Sequence, residues 1–281
     1  MLLTILFGIG AAITWGTADF CARQGSEEIG FLPTLMGMNG VGALLLAAVA
    51  LAGLLPFHPH HLFLLALLAL GNTVGGLLFY YALEHGQLSL VSPITAAYPV
   101  VSAMLAWFLA AQHLGPLVLA AVLVVIVGTM LATQGNGNGA AQHAEGRRAL
   151  LAAAGGAFCF GVVFYFLARL GATGSLLMPI LMFRWVGVLV LAPVALRRCP
   201  LVRTFSRPMI WATGILDTSA YLLYLWGSSH GPVAVIAALA GLFSVWTILL
   251  AITLLKERLS PLQWTGVSLI LLAIGVLSSA R

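Results

Sequence analysis

The feature that most limits the folds open to this chain is a series of long apolar runs. A helix that crosses a bilayer needs roughly 20 mostly apolar residues. Runs of about this length follow one another along the chain, at about residues 2–22, 31–54, 61–83, 89–111, 116–133, 148–168, 175–197, 209–227, 232–255 and 261–279. We therefore expect an all-α integral membrane protein with ten transmembrane helices.

Composition points the same way and excludes an ordinary soluble domain. Hydrophobic residues make up 62% of the 281 residues and charged residues only 7%, whereas soluble domains carry about 25% charged residues. The net charge of +5 comes mostly from basic residues in short loops, which suits anionic lipid headgroups and forms no stripe for nucleic acid. We expect a multi-pass protein of the cell membrane that contacts lipids and binds no nucleic acid. Residues 1–10 lack the basic start of a signal peptide, so this segment is expected to remain as the first helix.

A second pattern is an internal duplication. Glycine, histidine and proline residues recur 145 positions apart, in the pairs Gly10 and Gly155, Gly16 and Gly161, His85 and His230, and Pro116 and Pro261. Such a ladder indicates one unit copied twice. Residues 134–146, between the copies, are polar and glycine-rich, as in a flexible linker. The predicted organisation is a five-helix repeat at 1–133, the linker, and a second five-helix repeat at 147–281.

The number of helices in each copy has a geometric consequence. Five is odd, so the second copy must enter the membrane from the side opposite the first. The halves are therefore predicted to be inverted repeats, related by an axis in the membrane plane. That arrangement places a shared cavity near the middle of the membrane and gives two related conformations, one open to each side. It is the architecture of alternating access.

Charged residues inside the apolar runs are the first candidates for a binding site. Asp217 and Arg184 lie near the middle of their runs, and Asp19 lies late in the first run. A charge at the centre of a bilayer costs at least ~2.5–3.5 kcal/mol, so such residues usually face a partner or a wet cavity. Asn39 and Asn72 stand at the matching positions of the first repeat, 145 residues before Arg184 and Asp217.

Aromatic residues accompany these polar groups at helical spacing. Asp217, Tyr221 and Tyr224 share one helical face, and Asn72 and Tyr80 belong to a similar stripe in the third run. An acidic group beside phenols, opposite an amide stripe, would suit a polar solute with an apolar part. The alternative is a buried pair between the acid and Arg184 that only holds helices together, and the two interpretations can coexist.

Three further candidates each have a structural alternative. Asp19 could exchange protons if it lies deep in the membrane, or it could pair with Arg23 four residues later, near the headgroups. Trp15, one turn before Asp19, could pack against a ligand or simply against neighbouring helices. Tyr98 precedes Pro99 in a run that also contains Pro93, and these prolines could bend the helix and expose carbonyl groups to the cavity.

The turn from Leu255 to Gly266, LKERLSPLQWTG, with the helix that follows it, strongly resembles the EamA family of the drug/metabolite transporter superfamily. Trp15-Gly16 is similar to the tryptophan–glycine signature of that family, and Arg184 to its basic residue in the second helix of a repeat. The resemblance covers nearly the whole chain. It implies a secondary transporter of small metabolites, often amino acids or related compounds, that usually works as a single chain. A homodimer is the alternative.

The two copies have diverged from each other. Gln112-His113 stands where the second copy has Glu257-Arg258, and Phe160 replaces the tryptophan of the signature. We therefore expect an asymmetric site. Glu257 belongs to the family signature, but its position in a turn favours a structural role.

Other chemistries have little support in the sequence. His58, His60 and His61 form a histidine cluster, but it lies in a loop without carboxylates or cysteines nearby. The three cysteines have no paired spacing and are expected to be free thiols. No metalloprotease, nucleotide-binding or nucleophile motif is present. We expect no metal, no cofactor and no catalytic residues.

The orientation in the membrane is left open by two conflicting arguments. Alternate loops place nine basic residues on one side, namely Arg23, Arg147, Arg148, Arg197, Arg198, Arg203, Arg207, Lys256 and Arg258, and two on the other, Arg169 and Arg281. The positive-inside rule then puts both termini outside the cytoplasm. The resemblance to the family implies the reverse.

The leading hypothesis for function is a secondary transporter or exporter of a small, amino-acid-like metabolite. It would work by alternating access, with proton coupling through Asp217 or Asp19, or by facilitated diffusion. The main rival is a membrane-embedded enzyme that acts on a lipid-linked substrate, which would need a polar cluster at one membrane face. A structural or sensory membrane protein is a third class, but it would not need paired acidic and amide stripes.

Overall fold

The computed structural model describes residues 2–53, 61–110, 116–132, 140–171, 177–229 and 239–279, and these are helical almost throughout, with no strand among them. The helices are α1 (Leu2–Ile29), α2 (Phe31–Leu51), α3 (Leu62–His85), α4 (Leu88–Thr95), α5 (Tyr98–Ala110), α6 (Pro116–Ala132), α7 (Ala140–Gly171), α8 (Leu177–Arg198), α9 (Leu201–Phe205), α10 (Pro208–Ser229), α11 (Phe243–Thr253) and α12 (Pro261–Ser279). Helices satisfy every backbone group internally, which lipid requires.

The helices fit a multi-pass membrane protein. Within the described ranges, six spans are long and apolar enough to cross a bilayer: Leu2–Ile29, Phe31–Leu51, Leu62–His85, Leu88–Leu109, Glu145–Leu167 and Leu177–Arg198. Each of the ten predicted runs contains at least part of a helix that the structure describes. The all-α class is therefore confirmed, while ten membrane crossings stay a prediction.

The structure differs from the predicted runs in three places. The fourth run is broken, because α4 ends at Thr95, Ala96 and Ala97 form a turn, and α5 begins at Tyr98. Proline near a helix start is tolerated, since its missing N–H would have no partner there, and Pro99 occupies such a position. The short helix α9 lies in a segment predicted as loop. Helix α7 begins at Ala140, so residues 140–146 of the predicted linker are helical.

The two repeats pack against each other according to a pseudo-two-fold rule. Helix α1 of the first repeat packs on α10 of the second, and α7 of the second packs on α3 of the first. Likewise α1 contacts α11, while α7 contacts both α4 and α5. The pairs α2 with α8 and α6 with α12 map onto themselves when the repeats are exchanged. Each repeat therefore packs against the other through matching helices, and the two repeats do not form separate bundles.

Reciprocal glycine contacts show that this symmetry reaches single residues. A methyl group added to Gly16 would lie 2.7 Å from the carbonyl oxygen of Phe243, and one added to Gly161 would lie 2.7 Å from that of Tyr98. The two glycines are 145 residues apart, and so are Tyr98 and Phe243, whose carbonyl groups they face. Small residues let helix backbones approach where no hydrophobic effect separates helix from lipid. Residues 145 positions apart in the sequence therefore make equivalent contacts in the structure.

The charged turn after α11 makes a contact between the repeats. The carboxylate of Glu257 accepts hydrogen bonds from the backbone N–H groups of Leu88 (2.8 Å) and Ser89 (2.9 Å), and from the Ser89 hydroxyl (2.5 Å). These N–H groups open α4 and have no partner within that helix. Glu257 therefore caps a helix of the other repeat, which agrees with the structural role predicted for it.

Several basic loops lie at one end of the bundle. Arg23 donates to the carbonyl of Gly86, between α3 and α4, and Glu257 caps α4 at the same place. Arg207 lies 3.6 Å from Glu28. The loops after α1, α3, α9 and α11 therefore meet at one end, as the count of basic residues assumed. Which end faces the cytoplasm stays a prediction.

The contact between α6 and α12 gives a test of the packing. A methyl group on Gly266 would lie 2.5 Å from the Gly128 carbonyl oxygen and 2.6 Å from the Ala132 nitrogen, whereas one on Gly275 would meet nothing within 4 Å. Backbone atoms cannot move aside as a side chain can. We expect Gly266→Ala to lower the free energy of unfolding by about 1–3 kcal/mol, and Gly275→Ala to leave it unchanged or slightly raised. Unfolding of the detergent-purified protein in SDS, followed by tryptophan fluorescence, measures both, and equal effects would contradict this account of the interface.

Candidate functional site

A cavity of about 140 Å³ lies where the two halves meet, with walls from both repeats. The sequence predicted ten residues for a substrate site, and nine of them line this cavity: Trp15, Asp19, Asn39, Asn72, Tyr80, Tyr98, Arg184, Asp217 and Tyr221. Tyr224 is not among the lining residues. It packs behind Trp15, with ring centroids 6.1 Å apart.

Arg184 on α8 is held on several sides at once. Its side chain pairs with the carboxylate of Asp217 on α10, and Nη1 lies 2.9 Å from the sulfur of Met38 on α2. The guanidinium carbon lies 5.5 Å from the centre of the Tyr221 ring, a distance at which a cation is attracted to an aromatic face. Arg184 is only 4% exposed, so its charge is stabilised by these neighbours instead of by water. The predicted pair between Arg184 and Asp217 is therefore present, and it lies in the cavity wall.

Arg184 and Asn39 occupy matching positions in the two repeats and have matching packing. A methyl group on Gly42 would lie 2.8 Å from Arg184 Nε, and one on Gly187 would lie 2.9 Å from the amide carbon of Asn39. Gly42 and Gly187 are themselves 145 residues apart. One half therefore presents a cation, and the other a neutral amide, at the same place in the fold.

Asp19 on α1 has a different environment. It is 9% exposed, and its Oδ2 accepts hydrogen bonds from the hydroxyls of Ser92 on α4 (3.3 Å) and Thr247 on α11 (3.4 Å). Both donors are neutral. The carboxylate therefore touches one helix from each half of the protein.

The alternative prediction, an ion pair between Asp19 and Arg23, is wrong. Arg23, four residues later, donates from Nε to Glu27 at 2.7 Å and from Nη1 to the carbonyl of Gly86. It extends towards the polar loops at the end of α1, because a guanidinium is better hydrated there than beside a carboxylate within the bundle. Asp19 instead faces the cavity.

Aromatic side chains form much of the rest of the wall. Trp15 meets Tyr221 edge to face, with ring centroids 5.0 Å apart and planes at 88°, and its ring lies 6.4 Å from that of Phe243. Tyr98 stacks on Phe164 with centroids 4.9 Å apart. Such pairs are stable in these geometries. The charged groups are therefore set in a largely aromatic lining.

Sequence reasoning missed four aromatic residues of the lining, Phe79, Phe160, Phe164 and Phe243. Phe79 stands 145 positions before Tyr224, and the other three stand 145 positions after Trp15, Asp19 and Tyr98 respectively. Applying the repeat spacing to each candidate would have found all four. Ser92 and Thr247, which bond to Asp19, gave no comparable signal, because hydroxyl residues in apolar helices usually bond to their own backbone.

Metal-binding groups are not gathered in the described part of the chain. Within it, no group of three or more His, Cys, Asp or Glu side chains is close enough to hold an ion. Of the predicted histidine cluster only His61 is described, since His58 and His60 lie outside the described residues. The three cysteines are free.

Comparison with known proteins supports the reading of the repeats. The model of the EamA-like transporter family matches twice, at residues 2–134 and 147–279. The chain belongs to the EamA-like transporter family. The resemblance seen in the turn from Leu255 to Gly266 is confirmed, and so are the two inverted repeats. Membership of the family makes the protein a multi-pass membrane transporter of small molecules and gives the enzyme alternative no support.

Among solved structures, one crystal structure of a protein is similar in fold to this EamA-like chain, with a TM-score of 0.62. The two are 18% identical, over 97% of this chain and 95% of the other. At this identity the likeness shows the fold alone. No curated protein matches the chain.

The buried ion pair gives a test of the site. Removing one partner leaves the other charge unpaired, so we expect Arg184→Gln and Asp217→Asn each to lower the free energy of unfolding by about 3 kcal/mol. The double variant should lose clearly less than the sum of the two, because it leaves no orphaned charge. SDS titration followed by tryptophan fluorescence measures all three.

The exposed pair of Arg207 and Glu28 is a matched control within the same chain. Both side chains are about 40% exposed, so the corresponding cycle with glutamine should show a coupling of only ~0–1 kcal/mol. Strict additivity for Arg184 and Asp217 would mean that this pair does not stabilise the cavity wall.

Proposed function

We propose that the protein is a secondary transporter that moves a small, amino-acid-like metabolite across the cell membrane by alternating access, with the cavity between the halves as its substrate site. The observation that carries this proposal is that Asp19, Asp217 and Arg184 all line a single cavity among aromatic rings. Charges are expensive within a bilayer and generally mark a path for a polar solute. A purely structural protein would have no need to leave them facing a cavity.

The packing of the repeats supports alternating access. Swapping the two repeats gives the same set of helix pairs. A second conformation, in which each repeat takes the place of the other, can therefore form equivalent helix contacts. Transporters with inverted repeats change conformation by rocking such halves around a central site. The break between α4 and α5 lies beside this site, since Thr95 and Tyr98 both line the cavity.

The lining suits a solute with polar and apolar parts. Asn39 and Asn72 supply amide donors and acceptors, and Tyr80, Tyr98 and Tyr221 supply ring faces with phenolic hydroxyls. Tyr224 supports Trp15 from behind. The whole cavity is built from one chain, so we propose a monomer as the working unit, with a homodimer as the alternative.

Among the described residues that line the cavity there is no histidine, cysteine, serine or lysine. That lining thus lacks the pairing of a histidine base with a serine or cysteine nucleophile that many hydrolases and transferases use, and it lacks a lysine nucleophile. This favours transport over the membrane-embedded enzyme considered above.

Proton coupling is expected to depend on Asp19 or Asp217. In proteoliposomes loaded with a panel of amino acids and related amines, we expect substrate flux to respond to an imposed proton gradient. Replacing the coupling carboxylate by asparagine should reduce gradient-driven flux at least about tenfold, as for loss of a group required in the cycle. Substrate exchange without a gradient should survive, because it needs no net proton movement.

Glu27→Gln is the control for this measurement, since Glu27 is 44% exposed and pairs with Arg23 outside the cavity. It should keep wild-type flux. Wild-type gradient-driven flux in both Asp19→Asn and Asp217→Asn would rule out coupling through these acids. A wild-type protein that neither binds nor moves any member of a broad panel would count against the transport proposal itself.

A further inference from the structure

The charges that line the cavity do not cancel. Among the described lining residues, the charged side chains are the carboxylates Asp19 and Asp217 and the guanidinium Arg184. With all three ionised, the cavity carries one unit of negative charge. Tyr80 lines the same cavity as all three groups, so they act on a common space.

The positive charge, on Arg184, already has interaction partners within the protein. Arg184 pairs with Asp217, faces the sulfur of Met38 and lies against the ring of Tyr221. Its Nε has no hydrogen-bond partner among the described residues, but it points at Gly42, which does not line the cavity. An anionic group in the cavity would therefore have to share Arg184 with Asp217, and it would add a third negative charge to a site that holds one cation.

The uncompensated negative charge belongs to Asp19. No basic side chain of the described residues forms an ion pair with it. Its hydroxyl partners lie at 3.3 and 3.4 Å, whereas strong hydrogen bonds from a hydroxyl to a carboxylate are about 2.5–2.7 Å long. Asp217 lines the same cavity and adds a like charge. A carboxylate this buried needs a cation or a proton.

Two aromatic side chains line the same cavity as this carboxylate. Trp15 lies one helical turn before Asp19 on α1, and Phe243 lies one turn before Thr247 on α11. Both rings line the cavity, with centroids 6.4 Å apart. The face of tryptophan or phenylalanine attracts a cation, most strongly where water is excluded. The cavity therefore combines a carboxylate without an ion-pair partner among the described residues with two aromatic side chains.

We propose that the substrate is a monovalent organic ammonium, whose charged nitrogen lies at Asp19 and whose apolar, preferably aromatic, body lies against Trp15 and Phe243. This inference rests on the proposed transport function and narrows it. It selects amines over zwitterionic amino acids, since the carboxylate of a zwitterion would find its only cation already paired. A proton takes the place of the ammonium when the site is empty.

Four probes that share one ring and chain separate the possibilities. 2-Phenylethylamine is a cation, 2-phenylethanol is its neutral counterpart, L-phenylalanine adds a carboxylate, and 3-phenylpropionate is an anion. Binding to the purified full-length protein in detergent is measured by calorimetry and by the shift in melting temperature. We expect the amine to bind at least about tenfold more tightly than each of the other three, because only the amine can form a charge-assisted contact without an unpaired carboxylate.

Variants locate the binding. Asp19→Asn should weaken binding of the amine at least about tenfold, while Asp19→Glu should keep most of it, because the charge is retained. Trp15→Leu should weaken the amine about three- to tenfold and the alcohol by clearly less, because both ligands lose packing against the ring and only the cation also loses the attraction to its face. Glu27→Gln should bind like the wild type. The melting temperature without ligand shows whether each variant is folded, and Asp19→Glu and Trp15→Leu keep the test valid should Asp19→Asn not fold.

The outcomes separate this inference from the function on which it rests. Equal or tighter binding of L-phenylalanine or of the alcohol, or full affinity in a folded Asp19→Asn protein, would overturn the ammonium assignment while transport stands. Binding of none of the four probes would also overturn it, and flux of other metabolites in proteoliposomes would then show that the protein is still a transporter. Loss of both binding and flux across all panels would remove the proposed function as well.

Discussion

The burial of charge without water is the constraint on which the rest of this structure depends. In a bilayer each ionised group has to find its partner within the protein. Arg184 finds an acid on α10 and a sulfur on α2, and Asp19 finds hydroxyls on α4 and α11. Each of the two thus contacts the other repeat. The halves are held together where the polar groups are, and the cavity forms there.

That arrangement is possible only because the backbones approach closely around it. Gly16 and Gly161 each lie against a carbonyl of the opposite repeat, and Gly42 makes room for the side chain of Arg184. Larger residues at these positions would separate the helices and open the cavity wall to lipid. The pairing of the buried charges therefore depends on the glycines, because close helix packing keeps the charged groups in contact with protein.

Much of the fold and most of the site could be predicted from the sequence, for identifiable reasons. Apolar runs and a fixed repeat spacing reflect lipid and duplication, which act along the whole chain. Asp19, Asp217 and Arg184 stood out because charge is rare in such runs. The break after Thr95 and the bonds from Ser92 and Thr247 to Asp19 could not be predicted, because they depend on which helices become neighbours. Tyr224 shares a helical face with the site but lies behind Trp15, a difference of depth that periodicity does not record.

The divergence between matching positions has a consequence for energetics. If the repeats were identical, the two conformations related by exchanging them would have equal free energy, and an empty protein would occupy each half of the time. Here Arg184 corresponds to Asn39, and Asp19 corresponds to Phe164. In the proposed alternating access each charge moves with its own half, so its surroundings differ between the two states. The unloaded protein would then have a preferred resting side, set by the few positions at which the two repeats differ.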